Sequence, residues 1–256
     1  MKDSKTYNQI QEYAKEIKLP FTASCFEDEI RDAEANNKSY ADFLHSLLEK
    51  EYDLRKENGK KNRIRQALFP AKKYMEDIKV ECLPQDARQK LAVLKSLDFI
   101  KNGQNVIFAG PPGTGKTMIA TGLGIAACMK GYRVFFTTVP LLINQLKEAR
   151  GASTLRSFEL RFEKYDLVIA DELGYISFDR QGSELLFTNL SLRAGRKSTI
   201  ITTNLSFERW EEIFSDPVMT AAMIDRLTHK SYIVNMNGPS YRVKETKEWL
   251  DEQKLA

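Results

Sequence analysis

With 256 residues, 42% hydrophobic and 29% charged, the chain has the composition of a soluble protein with room for one large domain and a smaller one. A net charge of +4 does not by itself point to nucleic acid, and no uninterrupted apolar run approaches the length of a membrane span. Cys25, Cys82 and Cys128, like His45 and His229, are too scattered for a disulfide framework or a zinc site. The polar start at Met1 is unlike a secretory signal, so a cytoplasmic location is expected.

Residues 1–70 read as helices. Ile10, Tyr13, Ile17 and Leu19 form a short apolar stripe, and Phe26 and Ile30 begin another. Ser39 and Asp42 make a capping box, in which each side chain satisfies a backbone N–H left free at a helix start. Phe43, Leu44, Leu47, Leu48 and Leu54 then recur on one face. These stripes predict a small bundle or pairing with a second copy of the chain, because so small a core is marginal alone. Further along, Lys50, Arg55, Lys56, Lys60, Lys61, Arg63, Arg65, Lys72 and Lys73 outnumber Glu51, Asp53 and Glu57. Such an excess is the footprint of a polyanion-binding face, and a solvated helix surface reads the same way.

Pro70 and Pro84 bracket a hinge-like linker over residues 71–84, and residues 85–256 form the larger domain. Leu91, Leu94, Leu97 and Ile100 mark one face of a helix that runs into the first strand. Short β-rich runs at 106–109, 134–138, 167–170, 199–203 and 232–236 then alternate with helices. The pattern predicts an α/β domain with a parallel sheet covered on both faces.

After the first of these strands comes Gly110-Pro111-Pro112-Gly113-Thr114-Gly115-Lys116-Thr117, followed by Met118 and a helix to Lys130. Strand, glycine loop and helix form the context that turns GxxxxGK[ST] into a nucleotide phosphate site. The glycines let successive N–H groups turn inward, and the helix presents its positive end to the anion. Lys116 is expected to reach the outer phosphates and the Thr117 hydroxyl to ligate Mg²⁺. Two helices, 140–150 and 153–165, separate the second and third strands. They carry Lys147, Arg150, Arg156 and Arg161 beside the apolar Leu155, Phe158, Leu160 and Phe162, either as a partner-binding face or as an ordinary amphipathic surface.

The third strand ends in Asp171-Glu172. Ligands bind at the carboxyl ends of parallel strands, so both acids are expected near the phosphate loop, Asp171 holding Mg²⁺ and Glu172 orienting or deprotonating water. Asn204 closes the fourth strand. It would stand beside the γ-phosphate if that strand inserts between the first and third, and it would otherwise be an ordinary turn residue. Arg226 is either an arginine finger or half of a surface salt bridge with Asp225 or Glu212.

The phosphate loop, Asp171-Glu172, Asn204, Asp225-Arg226-Leu227 and Gly238-Pro-Ser-Tyr-Arg242 occur in an order that resembles the AAA+ ATPases of the helicase-loader clade. Within that clade the sequence is similar to the IstB-type helper ATPases of insertion sequences. The resemblance implies a five-stranded sheet in the order 5-1-4-3-2 behind a small all-α domain. It implies ATP with Mg²⁺, Asn204 as first sensor and Arg226 as a finger acting on a neighbouring subunit. It also implies an ATP-dependent homo-oligomer on duplex DNA and an IstA-like transposase as partner. The doubled helix becomes the DNA-facing insertion, and the stretch from Arg55 to Arg65 gains weight as a DNA contact. One departure concerns the helical lid: only about twenty residues follow the last strand, so the lid is truncated or absent and Arg242 would stand in for its sensor. A DnaC-type loader of the replicative helicase would share nearly all of this ATPase. A small-molecule kinase would need a substrate pocket and lid for which the doubled helix has no use.

Overall fold

The computed structural model describes residues 4–214 and 216–254. The chain divides into two compact units, one ending at Asn62 and the other beginning at Arg63. The first holds α1 (Ser4–Glu16), α2 (Pro20–Ala35) and most of α3 (Tyr40–Gln66). The capping box forms as expected: the Asp42 N–H donates to Ser39 Oγ at 3.2 Å, and Ser39 Oγ–H donates to Asp42 Oδ2 at 2.6 Å. Its buried apolar residues, Ala14, Ala23 and Phe26, are few, and polar ties supplement them. Buried Glu51 accepts from the Thr22 N–H at 2.9 Å, and Lys50 Nζ meets Glu29 Oε1 at 2.6 Å. Tyr40, Leu44, Leu48 and Tyr52, spaced four residues apart along α3, are at least half exposed, so the apolar face read from the sequence is only partly covered within this unit.

In the second unit, the connector between Pro70 and Pro84 forms two 3-10 turns, Met75–Asp77 and Val80–Cys82, and buries Ile78 and Leu83. It is therefore packed rather than free. The expected single helix before the first strand is broken into α4 (Gln85–Leu94) and α5 (Asp98–Lys101) by Leu97, whose φ of +64° lies in the left-handed region. Leu91, Leu94, Leu97 and Ile100 are all buried, so the break serves core packing.

The sheet follows: β1 (Val106–Ala109), α6 (Lys116–Met129), β2 (Val134–Thr138), α7 (Val139–Gly151), α8 (Leu155–Glu163), β3 (Leu167–Leu173), α9 (Arg180–Ser191) and β4 (Ser198–Thr203). Then come α10 (Glu211–Phe214), α11 (Pro217–Thr228), β5 (Tyr232–Asn235) and α12 (Tyr241–Lys254). The order β2-β3-β4-β1-β5, with every pairing parallel, is the predicted order. One face packs on α6 through Ile119, Leu123 and Ala127, and the other on α7, α9 and α11 through Leu142, Leu146, Leu186 and Met223. β1, β2 and β3 are buried along almost their whole length and accordingly read as near-continuous apolar runs, whereas the edge strand β5 is partly exposed.

Candidate nucleotide site

The site sits where β1, β3 and β4 end. Gly113 and Gly115 have φ of +81° and +91°, conformations that L side chains rarely adopt. A Cβ on Gly113 would also lie 2.1 Å from Ser240 Oγ. These two glycines curl the loop so that Lys116 begins α6. Lys116 is 7% exposed, and its ammonium donates to the carbonyls of Gly110 and Pro111 at 2.7 and 2.8 Å. Burial pushes its pKa below the usual lysine value; Asp171 opposes that shift and Arg242 adds to it. The Thr117 hydroxyl lies 3.0 and 3.1 Å from the two carboxylate oxygens of Asp171.

Consecutive residues of a strand point to opposite faces, so Asp171 and Glu172 cannot both serve one site in a regular ladder. The structure resolves this with a bulge. Ala170 pairs with Ile201 and Leu173 with Thr203, which leaves Asp171 and Glu172 opposite the single residue Thr202. Glu172 takes a left-handed φ of +64°, and its N–H donates to Thr202 Oγ1 at 3.0 Å. The Thr202 hydroxyl in turn donates to Asp171 Oδ1.

A cavity of about 630 Å³ opens here. Its lining includes Gly113, Thr114, Gly115, Lys116, Thr117, Met118, Glu172 and Arg242 from the sequence-predicted set. Its volume suits a small-molecule cofactor. The sequence reading missed the other walls: the connector, through Asp77, Lys79 and Cys82, together with Thr121, Thr202 and Tyr241. Pro111 and Pro112 are exposed. Thr117 and Asp171 offer a hydroxyl and a carboxylate that converge, a hard oxygen donor set suited to Mg²⁺.

Gly110, Pro111, Pro112, Asp171, Asn204 and Arg226 are not among the lining residues, and Asp171 is joined to the cavity wall through its hydrogen bonds with Thr117. β4 lies between β1 and β3, as the Asn204 reading required, and Asn204 follows its last residue. Its Oδ1 is buried with no hydrogen-bond partner among the described residues, close to Gly174. Exposed Arg226, on α11, stacks over the Phe187 ring at 5.0 Å, while Glu212, one partner considered for it, pairs with Arg209 at 2.8 Å.

These features are those of a nucleotide-binding P-loop domain, and residues 12–249 match the family described as IstB-like ATP binding protein. The chain belongs to this family. Within it, the chain is 34% identical to the protein named for ATP binding in insertion sequence IS232 of Bacillus thuringiensis subsp. berliner, covering 96% of this chain and 97% of the relative. It is 32% identical to the corresponding protein of insertion sequence IS21 of Pseudomonas aeruginosa, over 94% of this chain and 91% of that one. Among solved structures, AMPPCP-bound DnaA from Aquifex aeolicus superposes with a TM-score of 0.56 at 20% identity, over 72% of this chain and 56% of DnaA. DnaI does so with a TM-score of 0.54 at 20% identity, over 66% of this chain and 90% of DnaI. The IstB-like chain thus has the AAA+ P-loop fold, with α12 as the whole helical complement after β5 among the described residues.

The basic candidates differ in how they are held. In the first unit, Arg55 donates to the Lys18 carbonyl at 2.6 Å, Lys60 pairs with Glu57 at 2.5 Å, and Lys56 lies 5.6 Å from the Tyr52 ring centre. Lys61 is exposed there. In the second unit, Arg63 donates to the Cys128 carbonyl at 2.8 Å, Lys147 pairs with Asp179 at 2.7 Å and Arg156 with Glu159 at 3.6 Å. Arg161 stacks on Phe158 at 5.4 Å, and Arg65 and Arg150 are exposed.

Proposed function

We propose that this IstB-like protein is an ATP-hydrolysing helper of DNA transposition. Its subunits, loaded with ATP and Mg²⁺, assemble on duplex target DNA, recruit a partner transposase and stimulate it. The observation that carries the reading is the convergence of Lys116, Thr117 and Glu172 on one nucleotide-sized cavity, with Asp171 hydrogen-bonded to Thr117, in a chain of an ATP-binding insertion-sequence family.

Lys116 exchanges the carbonyls of Gly110 and Pro111 for the outer phosphates, and the N–H groups at the start of α6 face the same anion. Thr117 and Asp171 hold Mg²⁺, which when bound neutralises charge on the phosphate oxygens. Glu172 orients the attacking water and receives its proton, and Asn204 acts as first sensor. Arg226 lies outside the cavity lining of its own chain, which supports service to a neighbouring subunit. The half-exposed stripe Tyr40, Leu44, Leu48 and Tyr52 supports self-association of the first unit. Arg55, Lys56, Lys60, Lys61, Arg63 and Arg65, with Lys147, Arg150, Arg156 and Arg161, are the cations available to duplex phosphates.

The deciding experiment mixes two inactive chains. Glu172→Gln and Arg226→Ala should each lose turnover, the latter by a factor on the order of 10³. In an equal mixture about a quarter of randomly formed interfaces pair an intact Glu172 with an intact Arg226, so part of the rate returns. A mixture that stays inactive at every ratio overturns the shared site. Neutralising Lys60, Lys61, Arg63 and Arg65 should flatten the salt dependence of duplex binding, by about 0.9 in log–log slope for each phosphate that goes unneutralised. An unchanged slope would move the DNA face elsewhere.

A further inference from the structure

The two acids of the site differ in task, yet one hydroxyl touches both. Thr202 Oγ1 accepts the Glu172 N–H at 3.0 Å and donates its own proton to Asp171 Oδ1, the oxygen that Thr117 also approaches at 3.0 Å. Thr202 is 1% exposed and lines the nucleotide cavity. It stands alone opposite the two acids at the bulge, and Glu172 there holds a left-handed backbone that a non-glycine residue adopts only when its surroundings enforce it.

We infer that Thr202 is a positioning residue for hydrolysis, fixing the metal-binding carboxylate of Asp171 and the water-orienting Glu172 in a single geometry. The inference rests on the hydrolytic reading given above. A hydroxyl is required for a physical reason. Only a group that donates and accepts at one atom can satisfy a carboxylate oxygen and a backbone N–H together. Its donation fixes the direction of the Asp171 lone pairs left for Mg²⁺. Its acceptance holds the bulge that turns Glu172 toward the cavity. Valine has the shape of threonine without either function, and serine keeps both.

The test compares Thr202→Val with Thr202→Ser in the full chain. Three quantities are read: ATP turnover, fluorescent-nucleotide affinity in EDTA, and Mn²⁺ affinity of the nucleotide complex by electron paramagnetic resonance. In the valine chain, turnover should fall at least about tenfold and the half-saturating Mn²⁺ concentration should rise by a similar factor, the scale of removing one charge-assisted hydrogen bond. Nucleotide affinity in EDTA should stay within about twofold, since every phosphate-loop group is retained. The serine chain should behave as the parent. If the valine chain lacks a cooperative melt, Thr202→Ala removes the same hydroxyl without an added methyl and takes its place. Parental Mn²⁺ affinity and turnover in the hydroxyl-less chain overturn the inference. So does a parallel loss of melting temperature and EDTA affinity with no Mn²⁺ effect, which would mark Thr202 as a structural strand residue. A parent chain without turnover would instead remove the hydrolytic reading itself.

Discussion

Gly113→Ala should damage nucleotide binding through the C-terminal segment as much as through the loop. The added Cβ would lie 2.1 Å from Ser240 Oγ and 2.9 Å from Ser240 Cβ, at a backbone φ of +81°. Holding an L residue in the left-handed region costs about 1–2 kcal/mol. Rotating Ser240 relieves the contact with Oγ but not the one with Cβ, so the backbone near Ser240 has to move. That movement lengthens the 2.9 Å hydrogen bond from the Tyr241 N–H to the Gly113 carbonyl. A net loss of about 1 kcal/mol is ordinary for such a bond. The sum, about 2–3 kcal/mol, corresponds to roughly 30- to 140-fold weaker binding if it falls entirely on the binding-competent loop. Ser240→Gly in the same chain removes the steric part and leaves the backbone part. The double variant should therefore bind about fivefold better than Gly113→Ala alone, a non-additivity expected of residues in contact. Fluorescent-nucleotide titration reads both, with thermal melts to establish folding. Equal affinities for the single and double variants would refute the contact with Ser240 as a cause.

Lys116 supplies a pH prediction. Its free-state pKa lies below the ordinary lysine value, chiefly because burial disfavours the ammonium, whereas polyphosphate favours it. Between the lowered and the ordinary value, nucleotide binding should take up protons and affinity should fall as pH rises; calorimetry in two buffers of different ionisation enthalpy measures this, and Lys116→Met should abolish it. The same shift means that the unfolded chain holds more protons in that window, so Lys116 adds to folding stability as pH rises through it. Arg193 gives a stability prediction. Its buried guanidinium donates to the carbonyls of Phe162, Tyr165 and Ser198 at 2.9, 3.0 and 3.1 Å, joining the end of α8 to the start of β4. Arg193→Met should cost about 3–5 kcal/mol in denaturant unfolding, because three acceptors lose a charged donor at once. A loss under about 1 kcal/mol would mean that water replaces the donor.

Local chemistry made the ATPase half readable. Apolar runs between helical patterns located all five strands, and the glycine loop announced the start of α6. The sheet order came from the resemblance rather than from the spacing. What escaped was set by distant parts of the chain. Leu97 fits a helical stripe with Leu91 and Leu94, but its left-handed φ answers to packing beneath the sheet, and nothing in its neighbours signals that. The connector reads as a hinge because two prolines bound it, yet Ile78 packs against α6, where a Cβ on Gly122 would meet Met75 Sδ at 2.9 Å and Ile78 Cδ1 at 3.4 Å. The apolar spacing of Met75, Ile78, Val80 and Leu83 was the signal for it. The bulge at Asp171-Glu172 depends on the register with β4, which no local window contains. The Thr202-Thr203 pair at the end of the buried strand β4 was its only trace.

The motif Gly238-Pro-Ser-Tyr-Arg242 acquires a physical reason from the same geometry. Met236 passes so close to Gly110 that a Cβ there would lie 2.6 Å from its carbonyl carbon, and Ser240 and Tyr241 bear on Gly113. Tyr241 also meets Lys79 of the connector, whose ammonium lies 5.8 Å from the ring centre. Both ends of the ATPase unit thus close on the phosphate loop. Among the described residues after β5, α12 and the turn before it carry that contact. The Met236 backbone at Gly110 and the Ser240 side chain at Gly113 leave room only for glycine. A displacement of α12 that breaks the Tyr241 bond releases the loop carbonyl it holds, which couples the position of this helix to the shape of the phosphate cradle.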